Sequence, residues 1–442
     1  MTARVSLMLS VLLLGTAIAA AREPAIDKGE KSPRAKVSKE SRACLDCHKA
    51  DATAVATRQW ADSRHAAAGI GCYDCHKAEA ADVDGFDHNG FRISVVVTPR
   101  DCGRCHRKES AEFEASHHAK AGEILGSLDN VLGEVAEGIP AANSGCKQCH
   151  GGVVKVVGEG KLDPATWPNT GIGRLNPDGS KGSCSACHSR HLFSVSVARQ
   201  PENCGKCHLG PDHPQAEIYA ESKHGIAFRA KIDKMNLDSK SWVLGKDYSA
   251  APTCATCHMS ATGDLPSTHD VGGRISWTLR PDVSKKLDDW EKKRGDMQKV
   301  CSNCHGGGWV ENFYKQYDGV VNLYDDKFGI PAKAIVKKIR DAGKLTPTPF
   351  DEKIEWTYYE LWHHEGRRAR MGAAMMGPDY TQWHGFYEVA KVFYSEFLPE
   401  AEALLPGSTA EARKMDDHKW LEGISKDDRA RIEEYYNQRY GK

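Results

Sequence analysis

An apolar stretch from Val5 to Leu14 follows the early positive residue Arg4 and gives way to small residues. Ala17-Ile18-Ala19 or Ala19-Ala20-Ala21 then supplies a small-x-small cleavage site. This pattern predicts a secretory signal over 1–21, too short to span a bilayer stably. Residues 22–40 are charged and lack apolar periodicity, which predicts a disordered lead-in. Phe91 to Val97 (FRISVVV) is β-branched and predicts a short strand. Gly151 to Ser183 is rich in Gly, Pro and Asn and reads as loop. Helical spacing of apolar and charged positions dominates late in the chain, at Asp351–Arg370, His384–Leu405 and Lys426–Tyr440. Pro399 and the pair Pro406-Gly407 punctuate these runs. The expected fold is mainly α with little sheet: one region over 41–308, then a helical C-terminal region over 309–442.

The cysteines change this picture most. All 16 fall in Cys-x-x-Cys-His units, of which there are eight. The pairs are Cys44/Cys47, Cys72/Cys75, Cys102/Cys105, Cys146/Cys149, Cys184/Cys187, Cys204/Cys207, Cys254/Cys257 and Cys301/Cys304. They close on His48, His76, His106, His150, His188, His208, His258 and His305. Two thiols at this spacing add to the two vinyl groups of one haem, and the adjacent His reaches the iron. A zinc site or a redox dithiol explains a single unit but not eight with one invariant offset, and a disulfide scaffold has no need of the histidine. Eight covalent c-type haems are therefore expected over 41–308. At roughly 50 residues per haem, porphyrin supplies much of the buried apolar surface and is required for folding.

Charge and export follow. Lys plus Arg is 60 and Asp plus Glu is 60, so the polypeptide is formally neutral. Two propionates per haem make the holoprotein acidic, which argues against a nucleic-acid partner. Haem attachment of this kind takes place outside the cytoplasmic membrane. The expected location is the periplasm, with no transmembrane anchor after signal cleavage.

Twelve of the 20 histidines lie outside the attachment units. Three share an internal echo: Ser63-Arg64-His65-Ala66, Ser116-His117-His118-Ala119 and Ser222-Lys223-His224-Gly225. A small residue after His lets a flat macrocycle approach the backbone, so His65, His118 and His224 are expected as second axial ligands. If every iron took two histidines the protein would be a wire; an iron lacking the sixth ligand can bind a small molecule. The count of histidines satisfies either arrangement. Asp212 and His213 follow the sixth unit between Pro211 and Pro214, which stiffen the backbone. An imidazole beside a carboxylate can accept protons near neutrality; His213 could equally be another axial ligand.

The segments from Cys184 to Gly225 and from Trp356 to Glu388 (WTYYELWHHEGRRARMGAAMMGPDYTQWHGFYE) resemble the octahaem hydroxylamine oxidoreductase family, as do the number and order of units. The resemblance implies a reactive fourth haem, held by Cys146, Cys149 and His150, with Asp212 and His213 facing its open side. It implies a tyrosine from a neighbouring subunit joined covalently to this haem. Tyr380 is the best match, with Tyr358 or Tyr359 as alternatives. Seven further ligands are then expected: His65, His88, His118, His191, His224, His269 and one of His363 or His364, with His364 preferred. The implied activity is oxidation of hydroxylamine, a small nitrogenous substrate, to nitric oxide or nitrite. A homotrimer and a periplasmic c-type cytochrome as electron acceptor are implied with it. Hydrazine oxidation, reduction of nitrite or hydroxylamine to ammonia, and electron transfer without catalysis are the competing readings.

Overall fold

The computed structural model describes residues 35–51, 53–125 and 130–441. The expected signal and the lead-in up to residue 34 lie outside the described residues. The end of that lead-in is ordered. The Ala35 N–H donates to Ala67 O at 3.2 Å, and a helix over Lys39–His48 opens at Ser38, whose side chain accepts from the Ser41 N–H. Order thus begins before residue 41.

The chain is mainly helical, and its only sheets among the described residues are three antiparallel strand pairs. In the first, Gly85–His88 pairs with Phe91–Ser94, so the expected strand covers the first four residues of FRISVVV. Asn89 and Gly90 turn the hairpin with φ of 49° and 84°, the left-handed pair that a tight two-residue turn demands. His88 is thereby fixed at a strand end. The other pairs, Val156–Gly158 with Lys161–Leu162 and Trp277–Thr278 with Lys285–Lys286, are shorter still.

Up to residue 305 the helices are mostly brief, and several coincide with attachment units: Cys72–His76, Cys146–His150 and Cys254–His258. One helical turn brings cysteines at i and i+3 to one face. The loop after the fourth unit folds back on it. Ile172 N–H donates to Cys149 O at 2.9 Å and Gly173 N–H to His150 O at 3.0 Å. Only glycine permits this approach: a Cβ on Gly171 would stand 2.1 Å from Gly151 N, and Gly151 itself has φ +89°.

The C-terminal region is built from longer helices interrupted by wide π turns. One runs over 307–341 with its turn at Asp325–Gly329, another over 353–374 with its turn at Glu360–Glu365. Val389, Phe393 and Phe397 recur at i, i+4 and pack with Tyr324, Phe328, Ile339, Ile354 and Leu361 into a core made wholly of C-terminal side chains. A second cluster joins the two regions, with Ile218, Trp277 and Leu279 against Val310, Tyr314, Val321 and Met371. The last helix, Lys426–Tyr440, buries none of its side chains. No helix among the described residues is long and apolar enough to cross a membrane.

Candidate redox and proton-transfer site

All 16 cysteines are free of disulfides. Their exposure differs from unit to unit. Cys47, Cys105 and Cys304 are exposed, whereas the other 13 are half-buried. Each of the three is the second cysteine of its unit. Cys105 and Cys304 fall just past the ends of the helices Pro99–Gly103 and Trp290–Cys301, and Cys47 lies in the last turn of Lys39–His48.

Six of the eight attachment histidines face a second imidazole. The ring centroids of His48 and His88 are 6.0 Å apart, His65 and His106 6.1 Å, His76 and His191 6.4 Å, His118 and His208 6.0 Å, His188 and His269 6.4 Å, and His224 and His305 6.1 Å. Metal–imidazole bonds of about 2 Å put two trans rings about 6 Å apart, centre to centre. The donors are thus arranged for metals with imidazoles on both sides, beside thiols spaced for porphyrin, and the residues fit c-type haem. His118 also feels His258, the seventh attachment histidine, whose Nδ1 lies 3.2 Å from Val271 O. Burial holds His118, His188 and His258 at about 4, well below the usual imidazole value.

Sulfurs of different units meet. Cys102 touches Cys184, Cys204 touches Cys254 and Cys149 touches Cys207. Cys44 with Cys72, Cys75 with Cys102, Cys187 with Cys204 and Cys257 with Cys301 lie close enough to interact electrostatically. The units therefore follow one another in space as first, second, third, fifth, sixth, seventh and eighth. The fourth joins at the sixth.

Asp212 and His213 stand at that junction. Gly210, at φ +97°, donates its N–H to Glu217 at 3.1 Å, and Ala216 N–H donates to His208 O at 2.9 Å. These bonds close the loop before the helix Gln215–Glu221. His213 lies 6.1 Å, ring to ring, from His208 and close enough to Cys149 to act on its sulfur. Its Nδ1 is buried, has no hydrogen-bond partner among the described residues, and stops 3.6 Å from Asp212 Oδ1.

The other wall comes from the helix over 353–374. Arg367 Nη1 donates to Asp212 Oδ2 at 3.3 Å and to His363 Nε2 at 2.9 Å, while its Nε donates to Arg280 O at 2.8 Å. The Tyr359 hydroxyl lies 3.0 Å from the same His363 nitrogen, and the two rings stack at 4.2 Å. His363 is 4% exposed, and its Nε2 is 4.0 Å from Asp212 Oδ2. His364 sits beside Tyr359 and His363, and burial pushes it down to about 4. Tyr380 is half-buried, 5.3 Å from the His384 ring, with its hydroxyl raised by burial. Tyr358 is committed elsewhere, its hydroxyl donating to Asp282 at 2.8 Å.

Arg367 was not foreseen from the sequence. The one local signal is the i, i+4 spacing of His363 and Arg367, which sets both on one helical face. Nothing local joins them to Asp212, 155 residues away.

Two family profiles match the chain. "Seven times multi-haem cytochrome CxxCH" covers residues 175–350, and "Cytochrome c554 and c-prime" covers 16–77 and 101–189. A probable nitrite reductase-hydroxylamine oxidoreductase fusion protein of Kuenenia stuttgartiensis is 26% identical over 303 residues. The match takes in 60% of this chain but spans only 31% of that relative's length. Among solved structures, a hypothetical multiheme protein superposes with TM-score 0.75 at 26% identity, over 85% of this chain and 97% of the other. A reducing HAO-like protein complex of Kuenenia stuttgartiensis superposes with TM-score 0.61 at 20% identity, over 84% and 86%, and shares the fold. With covalently bound c-type haems and a haem-based redox function, the chain is a multihaem cytochrome c similar to hydroxylamine oxidoreductase-like proteins.

Proposed function

We propose that this protein is an exported octahaem oxidoreductase that oxidises hydroxylamine to nitric oxide or nitrite and passes the electrons to a periplasmic c-type cytochrome. One juxtaposition carries the reading: Asp212 and His213 lie beside the Cys149 sulfur of the fourth unit, and Arg367 reaches Asp212 from the opposite wall. The haem held by Cys146, Cys149 and His150 supplies, when bound, a coordination position for substrate nitrogen and takes up electrons. The remaining chemistry falls to side chains. Conversion of hydroxylamine to nitric oxide releases three protons with three electrons; conversion with water to nitrite releases five protons with four electrons. His213, with a buried nitrogen open to a new bond, accepts these protons. Asp212, 3.6 Å away, turns the imidazole and stabilises its charged form. Arg367 keeps Asp212 in place, and Tyr359 and His363 close the pocket behind it.

In this reading seven further haems are held by the other attachment units. His65, His88, His118, His191, His224, His269 and His364 are their second ligands. Tyr380 lies next to the exposed Trp383 and Tyr387, where another copy in a homotrimer would be met and a covalent link to the partner's haem formed. Hydrazine oxidation, and reduction of nitrite or hydroxylamine to ammonia, would use the same residues.

The test is stopped-flow reduction of the oxidised holoprotein by hydroxylamine and by hydrazine. A reverse assay offers nitrite and hydroxylamine to the reduced protein. Rapid haem reduction by hydroxylamine, slowed about 10²–10⁴-fold in His213→Ala at equal haem content, is expected. Failure of hydroxylamine to deliver electrons would overturn the proposal, and fast reoxidation by nitrite would reverse its direction.

A further inference from the structure

The imidazole nitrogen turned away from the ligand position is held differently at different units. His76 Nδ1 lies 2.9 Å from Ser94 O, and His258 Nδ1 lies 3.2 Å from Val271 O. Both acceptors are neutral carbonyls. At the first unit the acceptor is a carboxylate: His48 Nδ1 lies 2.8 Å from Asp51 Oδ2 and 2.8 Å from Thr53 Oγ1. Asp51 is itself fixed, its Oδ1 accepting from the Thr53 N–H at 2.8 Å and from the Thr53 hydroxyl. The His48 ring meanwhile faces His88, nearly parallel at 24°.

We propose that Asp51 is a potential-setting residue, a carboxylate behind His48 that gives the first centre a lower reduction potential than a neutral acceptor would. The physical basis is general. An N–H that donates to an anion leaves more electron density on the ring, so the ring becomes a more basic metal ligand. A more basic axial ligand favours the oxidised iron. Both side chains are partly open to solvent, His48 at 35% exposure and Asp51 at 44%, which weakens the effect without cancelling it. The placement gives the effect a consequence. The first unit is one end of the line of units, and its Cys47 is exposed. Asp51 therefore adjusts the terminal step, where electrons enter or leave, and not the interior ones. Neither substrate nor direction of reaction enters this inference.

The experiment is a redox titration of the holoprotein, following each low-spin signal by electron paramagnetic resonance. Asp51→Asn keeps an oxygen acceptor and removes its charge. One midpoint should move upward while the others stay, at unchanged haem content. Asp46→Asn is the control: Asp46 is as close in sequence, lies within the same unit and pairs with Lys49 at 3.6 Å, so its neutralisation should leave that midpoint in place. The inference is overturned if no midpoint moves in Asp51→Asn. It is equally overturned if Asp46→Asn moves the same midpoint as far, since bare charge would then suffice.

Discussion

Arg367 donates to Asp212 across 3.3 Å, tying the helical C-terminal region to the loop that follows the sixth attachment unit. The same guanidinium nitrogen reaches His363, and a third bond from Nε anchors it on Arg280 O. It is a positioning group: it acts on the Asp212–His213 couple and stands behind the reacting atoms.

Replacing Arg367 by Met should therefore slow hydroxylamine-dependent haem reduction. A charge-assisted bond of about 1.5–3 kcal/mol corresponds to about a 10- to 100-fold loss. Arg367→Lys keeps the charge but not the planar fork and should recover only part of the rate. The check is rate against pH in both variants. A uniform loss with an unaltered profile would assign Arg367 to packing alone.

Tyr380→Phe tests the proposed covalent link. The parent should run on denaturing gels as cross-linked subunits, and the variant as single chains with unchanged attachment at the other units. Tyr358→Phe should leave the cross-link intact, because Tyr358 is engaged with Asp282.

Glu365 should make stability fall with rising pH. Burial pushes its carboxyl up to about 7; one oxygen accepts from Arg368 at 3.1 Å while Oε2 is buried without a partner among the described residues. The folded state thus binds a proton that the unfolded state releases near 4.5. Its contribution is full below the unfolded value and is lost as pH climbs to about 7, amounting to at most about 3 kcal/mol. Glu365→Gln should flatten the dependence in thermal unfolding measured between pH 5 and 8.

Gly171→Ala should disrupt the fourth attachment unit selectively. The new methyl would meet the Gly151 backbone, which cannot rotate aside as a side chain can. Loss of one haem of the set, read from pyridine haemochrome content and peptide mass, is the expected outcome.

The attachment units were legible because their chemistry is local: two cysteines and a histidine within five residues need no tertiary context. How deeply each thiol is set was not legible, since burial depends on which distant segments pack over it. The serine echo was legible for the same reason as the units. Ser63 and Ser222 cap short helices by accepting from the N–H three residues on, which sets His65 and His224 in the first turn. Ser116 shares with Ser222 the donation back to the carbonyl three residues earlier but opens no helix. The pocket wall was not legible. Arg367 and His363 reach Asp212 only because helices far apart in sequence pack together, and the π turn at Glu360–Glu365 has no signature in apolar spacing. The disordered reading of 22–40 erred at its end because Ser38, a strong cap residue, starts a helix at Lys39.

The C-terminal core around Phe393 and Phe397 is assembled from protein side chains alone. Before residue 305 one apolar cluster, around Phe228, Trp242 and Tyr248, is also built from side chains, but much of that stretch surrounds paired imidazoles and the cysteines of the attachment units. The two halves should consequently mature on different schedules. A chain released before cofactor insertion should carry a protease-resistant C-terminal body and a pliant leading half, waiting for the ligation machinery to fill it.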